Sequence, residues 1–172
     1  MKKAFELYFT HICDFFSPLV CSLLAFGFIV AIVIGIQKGM KRSWELLLFE
    51  YGLFIMYVTV FSRAINERSA YCIRPFQSYK IIAEGNPYLV PEVLMNVVMY
   101  IPLGFLVRGM CDGSNWIINL LIGLAFSLFV EFLQLVMMRG TPEVDDLIHN
   151  TFGFIVGYWL CYVIIKYKNK YV

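Results

Sequence analysis

Polar side chains recur at helical spacing inside an apolar stretch of the chain, residues 116–138. Asn119, Gly123, Ser127, Glu131 and Gln134 follow one another at intervals of four, four, four and three residues. These intervals place them on one face of a helix. An ionisable side chain near the centre of a bilayer costs about 2.5–3.5 kcal/mol on insertion scales, so Glu131 needs a partner, a polar cavity or a function. The pattern predicts a polar face turned into a bundle of helices.

A second polar row lies in residues 88–107, where Glu92, Asn96 and Tyr100 are again four residues apart. Pro102 follows and removes one helical hydrogen bond, which kinks the helix or exposes the carbonyl of Val98. Glu92 lies near the start of its segment, where the helix dipole is sufficient to stabilise an acid. Asn96 lies deeper, and we expect its side chain to face inward.

A third row begins at a helix start written as Thr141-Pro142, with Thr141 as the N-cap and proline in the first turn. The acids Asp145 and Asp146 then fall in or just after the first turn, which stabilises them in part. The face continues through Asn150, Gly153 and Gly157, and the glycines allow another helix to approach closely.

Arg139 lies across the turn from these acids and has two roles open to it. It can pair with Glu131, Asp145 or Asp146, or it can hold an anionic head group through two parallel hydrogen bonds.

The composition places these rows in a membrane. Of 172 residues, 60% are apolar and 15% charged, whereas soluble domains carry about 25% charged residues. A single soluble core is therefore excluded. The net charge of +2 is small, and most cations lie between apolar runs as anchors would, so nucleic acid is not an expected partner. The five cysteines form no metal-binding spacing, and we expect neither metal nor cofactor.

Five segments are about as long as a membrane crossing requires, namely 19–36, 44–61, 88–107, 116–138 and 147–165. Residues 4–17 mix acids with aromatic side chains, which is typical of a helix lying in the interface. We therefore predict an all-α, polytopic membrane protein: one domain over residues 1–172, with about five transmembrane helices and an N-terminal interfacial helix. Lysine and arginine are equally numerous on the two sides, and functional arginines at 63, 74 and 139 would favour an external N-terminus.

Three blocks of residues resemble the VanZ-like family of small bacterial membrane proteins. The blocks are Arg74-Pro75-Phe76; Glu92 with the run from Asn96 to Phe105; and Glu131, Gln134 and Arg139 leading to the run from Asp145 to Gly153 with Gly157-Tyr158. The likeness covers roughly residues 74–158 and departs from the family at Pro142-Glu143. It implies a multi-pass protein of the bacterial cytoplasmic membrane, with a role in the cell envelope or in resistance to the glycopeptide teicoplanin.

Three classes of function remain open. The chain could bind or transport an amphiphile with an anionic head, such as a lipid-linked envelope precursor, and could act as an oligomer. It could instead be an intramembrane enzyme on a lipid, with Glu131, Asp145 and Asp146 holding Mg²⁺ if they converge, or a structural or regulatory membrane partner. No catalytic motif favours the enzyme. The candidate binding residues are Arg74, Asn96, Glu131, Gln134, Arg139, Asp145, Asp146 and Asn150, with Arg63 as a further ligand for the head.

Overall fold

The computed structural model describes residues 18–66, 71–111 and 115–171, and these residues form a bundle of helices. The long helices are α1 (Pro18–Lys38), α2 (Met40–Met56), α4 (Val90–Met110), α5 (Trp116–Met137) and α6 (Val144–Tyr171). A short helix, α3 (Gln77–Ala83), lies between α2 and α4. A π-helical turn, Tyr57–Phe61, continues α2, and a 3₁₀ turn, Pro87–Leu89, leads into α4.

Four helical stretches are long and apolar enough to cross a membrane: Lys41–Phe61, Pro87–Met110, Trp116–Met137 and Val144–Lys170. A shorter apolar helical stretch, Ser22–Lys38, precedes them. The predicted all-α polytopic bundle is therefore confirmed. The expected interfacial helix at residues 4–17 lies outside the described residues.

Helices α4 and α6 form the closest pair in the bundle, and glycine makes this approach possible. A Cβ atom at Gly153 would overlap the backbone carbonyl of Val97, and one at Gly157 would overlap that of Ile101. Gly104 of α4 in turn faces the carbonyl of Phe154. The glycine face predicted for the last helix is thus the face that packs, and it brings the polar rows of α4 and α6 together.

The core of the bundle lies beside this pair. Tyr100 and Leu103 of α4, Val130 of α5 and Phe154 of α6 are buried together with Ile55 of α2. The ring of Phe154 also fills the space left by Gly123 of α5. The core therefore fixes the rotation of α4, α5 and α6 and, with it, the direction in which their polar rows point.

The connection between α2 and α4 folds back over one end of the bundle. Two isolated β-bridges hold it there, one between Ile65 and Arg139 and one between Cys72 and Glu143. A ring nitrogen of His149 lies 2.9 Å from the Tyr79 hydroxyl and ties α3 to α6. The sequence analysis left residues 62–87 between two predicted spans and did not indicate the helix α3.

Candidate functional site

Asp145, at the start of α6, holds the connecting segment in place. Its carboxylate accepts hydrogen bonds from the backbone N–H groups of Phe76 at 2.5 Å and Ser78 at 2.7 Å. These donors lie at the N-terminal end of α3, where helical N–H groups have no partner within the helix. Asp145 is 1% exposed and caps α3 from another helix. The predicted site residue is therefore occupied by the protein's own backbone.

Asp146, the next residue, points into the bundle instead. Its Oδ1 atom accepts a hydrogen bond of 2.6 Å from the side-chain amide of Asn96 on α4. Both residues are buried. A carboxylate held by an amide between two closely packed helices connects the polar rows of α4 and α6, as expected from their spacing.

Glu131 reaches the same region from the C-terminal half of α5. Its Oε2 atom accepts a hydrogen bond of 3.1 Å from the backbone N–H of Glu143, just before α6. The Glu143 carboxylate lies 3.4 Å from the Ser78 hydroxyl, which donates to it. Burial raises the pKa of the Glu143 carboxyl, and the nearby charge of Glu92 raises it further.

Arg63 brings a positive charge to these acids. One of its guanidinium nitrogens lies 3.8 Å from a carboxylate oxygen of Glu92, in the first turn of α4. The two side chains are 25% and 35% exposed, so the pair remains accessible. The distance exceeds that of a hydrogen bond, and the guanidinium therefore keeps donors free of Glu92.

Together these residues form what we call the acidic cluster: Glu92, Glu131, Glu143 and Asp146, with Arg63 among them. Glu131 and Asp146 both lie within electrostatic range of Glu92, Glu143 and Arg63. The cluster extends from the accessible Arg63 and Glu92 to the buried Asp146. Four acids facing one base leave an excess of hydrogen-bond acceptors.

The acids do not converge as a metal site would require. Within the described ranges, no group of three or more His, Cys, Asp or Glu side chains is arranged to hold a metal ion. Asp145, one of the three acids considered for Mg²⁺, is bound by the two amides of the connecting segment. The set Glu131, Asp145 and Asp146 is therefore not assembled.

Gln134 and Arg139 hold the end of the π-helical turn rather than the acids. The Gln134 side-chain amide donates to the carbonyl of Thr59 at 3.0 Å. Arg139 donates to the carbonyls of Phe61 at 2.6 Å and Arg63 at 2.9 Å. The last carbonyls of a helix have no N–H donor within the helix, and these side chains donate to carbonyls at and just after that end. Among the described residues Arg139 forms no ion pair with an acid, and its role in holding an anionic head group stays a prediction.

Asn150 and Ser127 extend the polar region one turn deeper. The Asn150 amide donates to the Ser127 hydroxyl at 2.9 Å, and both side chains are buried. The Tyr100 hydroxyl of α4 lies beside Ser127. Asn96 and Asn150 thus face inward, as predicted, and connect α4, α5 and α6.

Arg74 lies in the connecting segment between Cys72, which pairs with Glu143, and Phe76, which is held by Asp145. Its side chain is exposed. The fold therefore brings the backbone at Arg74 close to the start of α6, while the guanidinium faces outward.

One embedded acid was missed by the sequence reasoning. Glu50 lies near the middle of the α2 span, and its carboxyl occupies the space that a side chain at Gly27 of α1 would need. It lines a groove of about 520 Å³ between α1, α2 and α4. The available signal was an acid surrounded by apolar residues within the segment 44–61.

Comparison with known proteins identifies one family. A family model described as VanZ/LLP1 matches residues 47–166, a range that includes the whole acidic cluster. No curated protein and no solved structure matches the chain.

Proposed function

The chain belongs to the VanZ/LLP1 family, and we propose that this membrane protein binds a lipid-linked precursor of the bacterial envelope at the acidic cluster. The observation that carries the proposal is the position of Arg63. It is the base within the cluster, is 25% exposed, and keeps donors free of Glu92. A partly exposed guanidinium that is not hydrogen-bonded to its neighbouring acid can bind a phosphate through two parallel hydrogen bonds.

The surrounding carboxylates favour a head group with donors as well as a phosphate. An ion that carried only negative charge would be repelled by Glu92 and Glu143. The head of a lipid-linked precursor combines phosphate with hydroxyl, amide or amine groups, and such donors fit the excess of acceptors. The exposed Arg74 on the same end of the bundle supplies a second base for the phosphate.

The location of the cluster favours a ligand that remains in the membrane. The cluster lies where α4 and α6 begin and where α5 ends, at the end of the spanning stretches. Apolar side chains such as Leu94 and Val98 of α4 are exposed below it. A head group at the cluster would therefore leave its lipid tail beside an apolar helix surface.

Lipid analysis of the purified protein tests the proposal. We expect gentle purification followed by mass spectrometry to recover a phosphate-bearing precursor lipid, and Arg63→Gln to lower its recovery at least tenfold. Lys80→Gln is the matched control, since Lys80 is exposed on the same end and lies 3.8 Å from Glu84, outside the acidic cluster. Equal recovery from wild type, Arg63→Gln and Lys80→Gln would contradict the proposal.

The proposal extends to a cellular role in the envelope, and we propose reduced susceptibility to teicoplanin as its readout. Cells of a susceptible bacterium would express equal amounts of wild type, Arg63→Gln, Asp146→Asn and Lys80→Gln. We expect protection from wild type and Lys80→Gln and its loss from Arg63→Gln. If all variants behave like the empty vector, the resistance role is removed while the lipid-binding experiment still stands.

A structural or regulatory role is the second candidate, and the internal hydrogen bonds favour it. Asp145, Gln134 and Arg139 are all engaged by backbone groups of the chain itself. Under this alternative, Arg63→Gln would lower thermal stability without changing the lipids that copurify. Measuring the unfolding temperature and lipid content of the same samples separates the two functions.

A further inference from the structure

An aromatic groove lies at the end of the bundle opposite the acidic cluster. It has a volume of about 560 Å³ and opens between α5 and α6. Its walls include Trp116 and Leu120 of α5 and Phe154, Tyr158, Trp159 and Tyr162 of α6. Ligand pockets in proteins typically measure about 300–1,000 Å³, so the groove is large enough for part of an acyl chain.

A basic pocket of about 420 Å³ adjoins this groove. It is lined by Arg108 of α4 and by Lys166, Asn169 and Lys170 of α6, and none of its lining residues is acidic. Tyr162 lines both cavities, so the apolar groove and the basic pocket share a wall. The two together have the arrangement of a lipid: an apolar length followed by a charged end.

Aromatic rings hold the cations at this junction. The Arg108 guanidinium lies 5.8 Å from the ring centres of both Tyr158 and Tyr162, and the Lys166 ammonium lies 5.8 Å from that of Tyr162. Such contacts favour a cation near a ring face. Two positive charges are therefore held at the mouth of the groove by the protein's own aromatic rings.

The dimensions along α6 agree with a lipid in one leaflet. From Phe154 to Tyr162 the helix rises about 12 Å, and from Tyr162 to Lys170 it rises about 12 Å more. The groove thus lies within the spanning stretch Val144–Lys170, and the lysines lie at its end. Tryptophan and tyrosine at this level are typical of the membrane interface.

We propose that this composite site binds an anionic phospholipid, with an acyl chain in the aromatic groove and the phosphate at Arg108, Lys166 and Lys170. The charge of the pocket selects the anionic lipid, since a zwitterionic head would bring its own cation next to three others. This inference does not rest on the proposed function, because it uses the opposite end of the bundle.

Lipid binding in nanodiscs or by native mass spectrometry tests the site. Phosphatidylglycerol and phosphatidylcholine with identical acyl chains are the probes. We expect wild type to retain phosphatidylglycerol at least tenfold more than phosphatidylcholine, and Lys166→Gln/Lys170→Gln to remove most of this preference. Both lysines are exposed, so we expect the double variant to keep the fold, and its unfolding temperature checks this. Arg108→Gln should act in the same direction and is interpreted only if its unfolding temperature is unchanged.

Lys168→Gln is the matched control, because Lys168 lies on the same exposed helical turn but does not line the pocket. It should retain the wild-type preference. Soluble glycerophosphate should not displace the lipid, since it lacks the chain that fills the groove. Three results would each overturn the proposal. Wild type could retain both lipids equally, the Lys168 variant could lose as much of the preference for phosphatidylglycerol as the Lys166/Lys170 variant, or glycerophosphate could displace the lipid.

Discussion

At the scale of single residues, adjacent acids have different roles. Asp145 and Asp146 follow each other at the start of α6, yet one caps α3 and the other binds Asn96 inside the bundle. Successive side chains on a helix point about 100° apart, so neighbours meet different surroundings. The helix dipole, which explains both acids equally well from sequence, does not distinguish these roles.

Replacing Asp145 by Asn should destabilise the protein by about 1–3 kcal/mol, because the new amide group would present a donor to one of two buried N–H donors. Asp146→Asn should cost less, since an amide oxygen can still accept from Asn96. Thermal unfolding in detergent measures both. A smaller loss for Asp145→Asn than for Asp146→Asn would contradict the capping role.

Glu143 should make stability depend on pH. Its pKa is raised in the folded state, chiefly by burial, so the folded protein binds the proton more tightly than the unfolded chain does. This contribution is complete below the ordinary carboxyl pKa of 4.5 and is lost as the pH rises through the folded-state value.

Glu143→Gln should therefore raise the unfolding temperature more at pH 7 than at pH 4.5, since glutamine removes the ionisation and still accepts from Ser78. Scanning fluorimetry at both values measures the difference. Glu84→Gln, which removes one carboxylate at an exposed position on the same end, is the control. An equal change in unfolding temperature at both pH values would contradict Glu143 as the source of the pH dependence.

At the scale of elements, the contact between α4 and α6 assembles the site. Gly153 and Gly157 let the two backbones meet, and this contact places Asn96 beside Asp146. In a lipid environment, small residues favour helix association because they permit close packing where hydrophobic burial contributes little. The acidic cluster therefore depends on glycines that are not part of it.

Gly153→Ala should lower stability strongly, because the added Cβ would overlap the carbonyl of Val97 and only a movement of the helix could relieve it. Gly52→Ala is the control: its Cβ would lie at an ordinary 3.7 Å from the ring of Phe126. That change should be neutral or stabilising by up to about 1 kcal/mol, since alanine favours helices over glycine. Unfolding temperatures compare the two, and equal effects would contradict the close contact.

At the scale of the whole molecule, the two ends of the bundle differ in charge. The acidic cluster lies at one end. Most described bases lie at the other, namely Lys38, Lys41, Arg42, Arg108, Lys166, Lys168 and Lys170. The whole sequence carries equally many lysines and arginines on the two sides. A functional role for Arg63, Arg74 and Arg139 at the acidic end would leave the basic end favoured on the cytoplasmic side.

Cysteine labelling in intact cells tests this orientation. Cys72 lies in the connecting segment at the acidic end and Cys111 follows α4 at the basic end, and both are partly exposed. Variants that keep only one of the two are treated with a membrane-impermeant maleimide. We expect Cys72 to react in intact cells and Cys111 only after permeabilisation. The reverse pattern would place the acidic cluster inside.

The length of the apolar runs and the spacing of the polar residues within them determined much of the fold. Apolar length predicted the spanning helices, since a bilayer requires it of any sequence. Spacing predicted that Asn96 and Asn150 face inward, because the cost of polar groups in lipid does not depend on their partners. The binding roles of Arg74, Gln134 and Arg139 stay predictions.

The tertiary structure alone decided which partner each polar group meets. Arg139 binds the carbonyls of the π-helical turn, a feature with no signature in the apolar run that forms it. Asp145 accepts hydrogen bonds from amides almost seventy positions away in the chain. Arg63 lies beside Glu92 because the segment between α2 and α4 folds back over the end of the bundle. Such contacts depend on the rotation of each helix about its own axis and on the path of the connecting segments. These are set by close packing among many residues at once and not by any short segment.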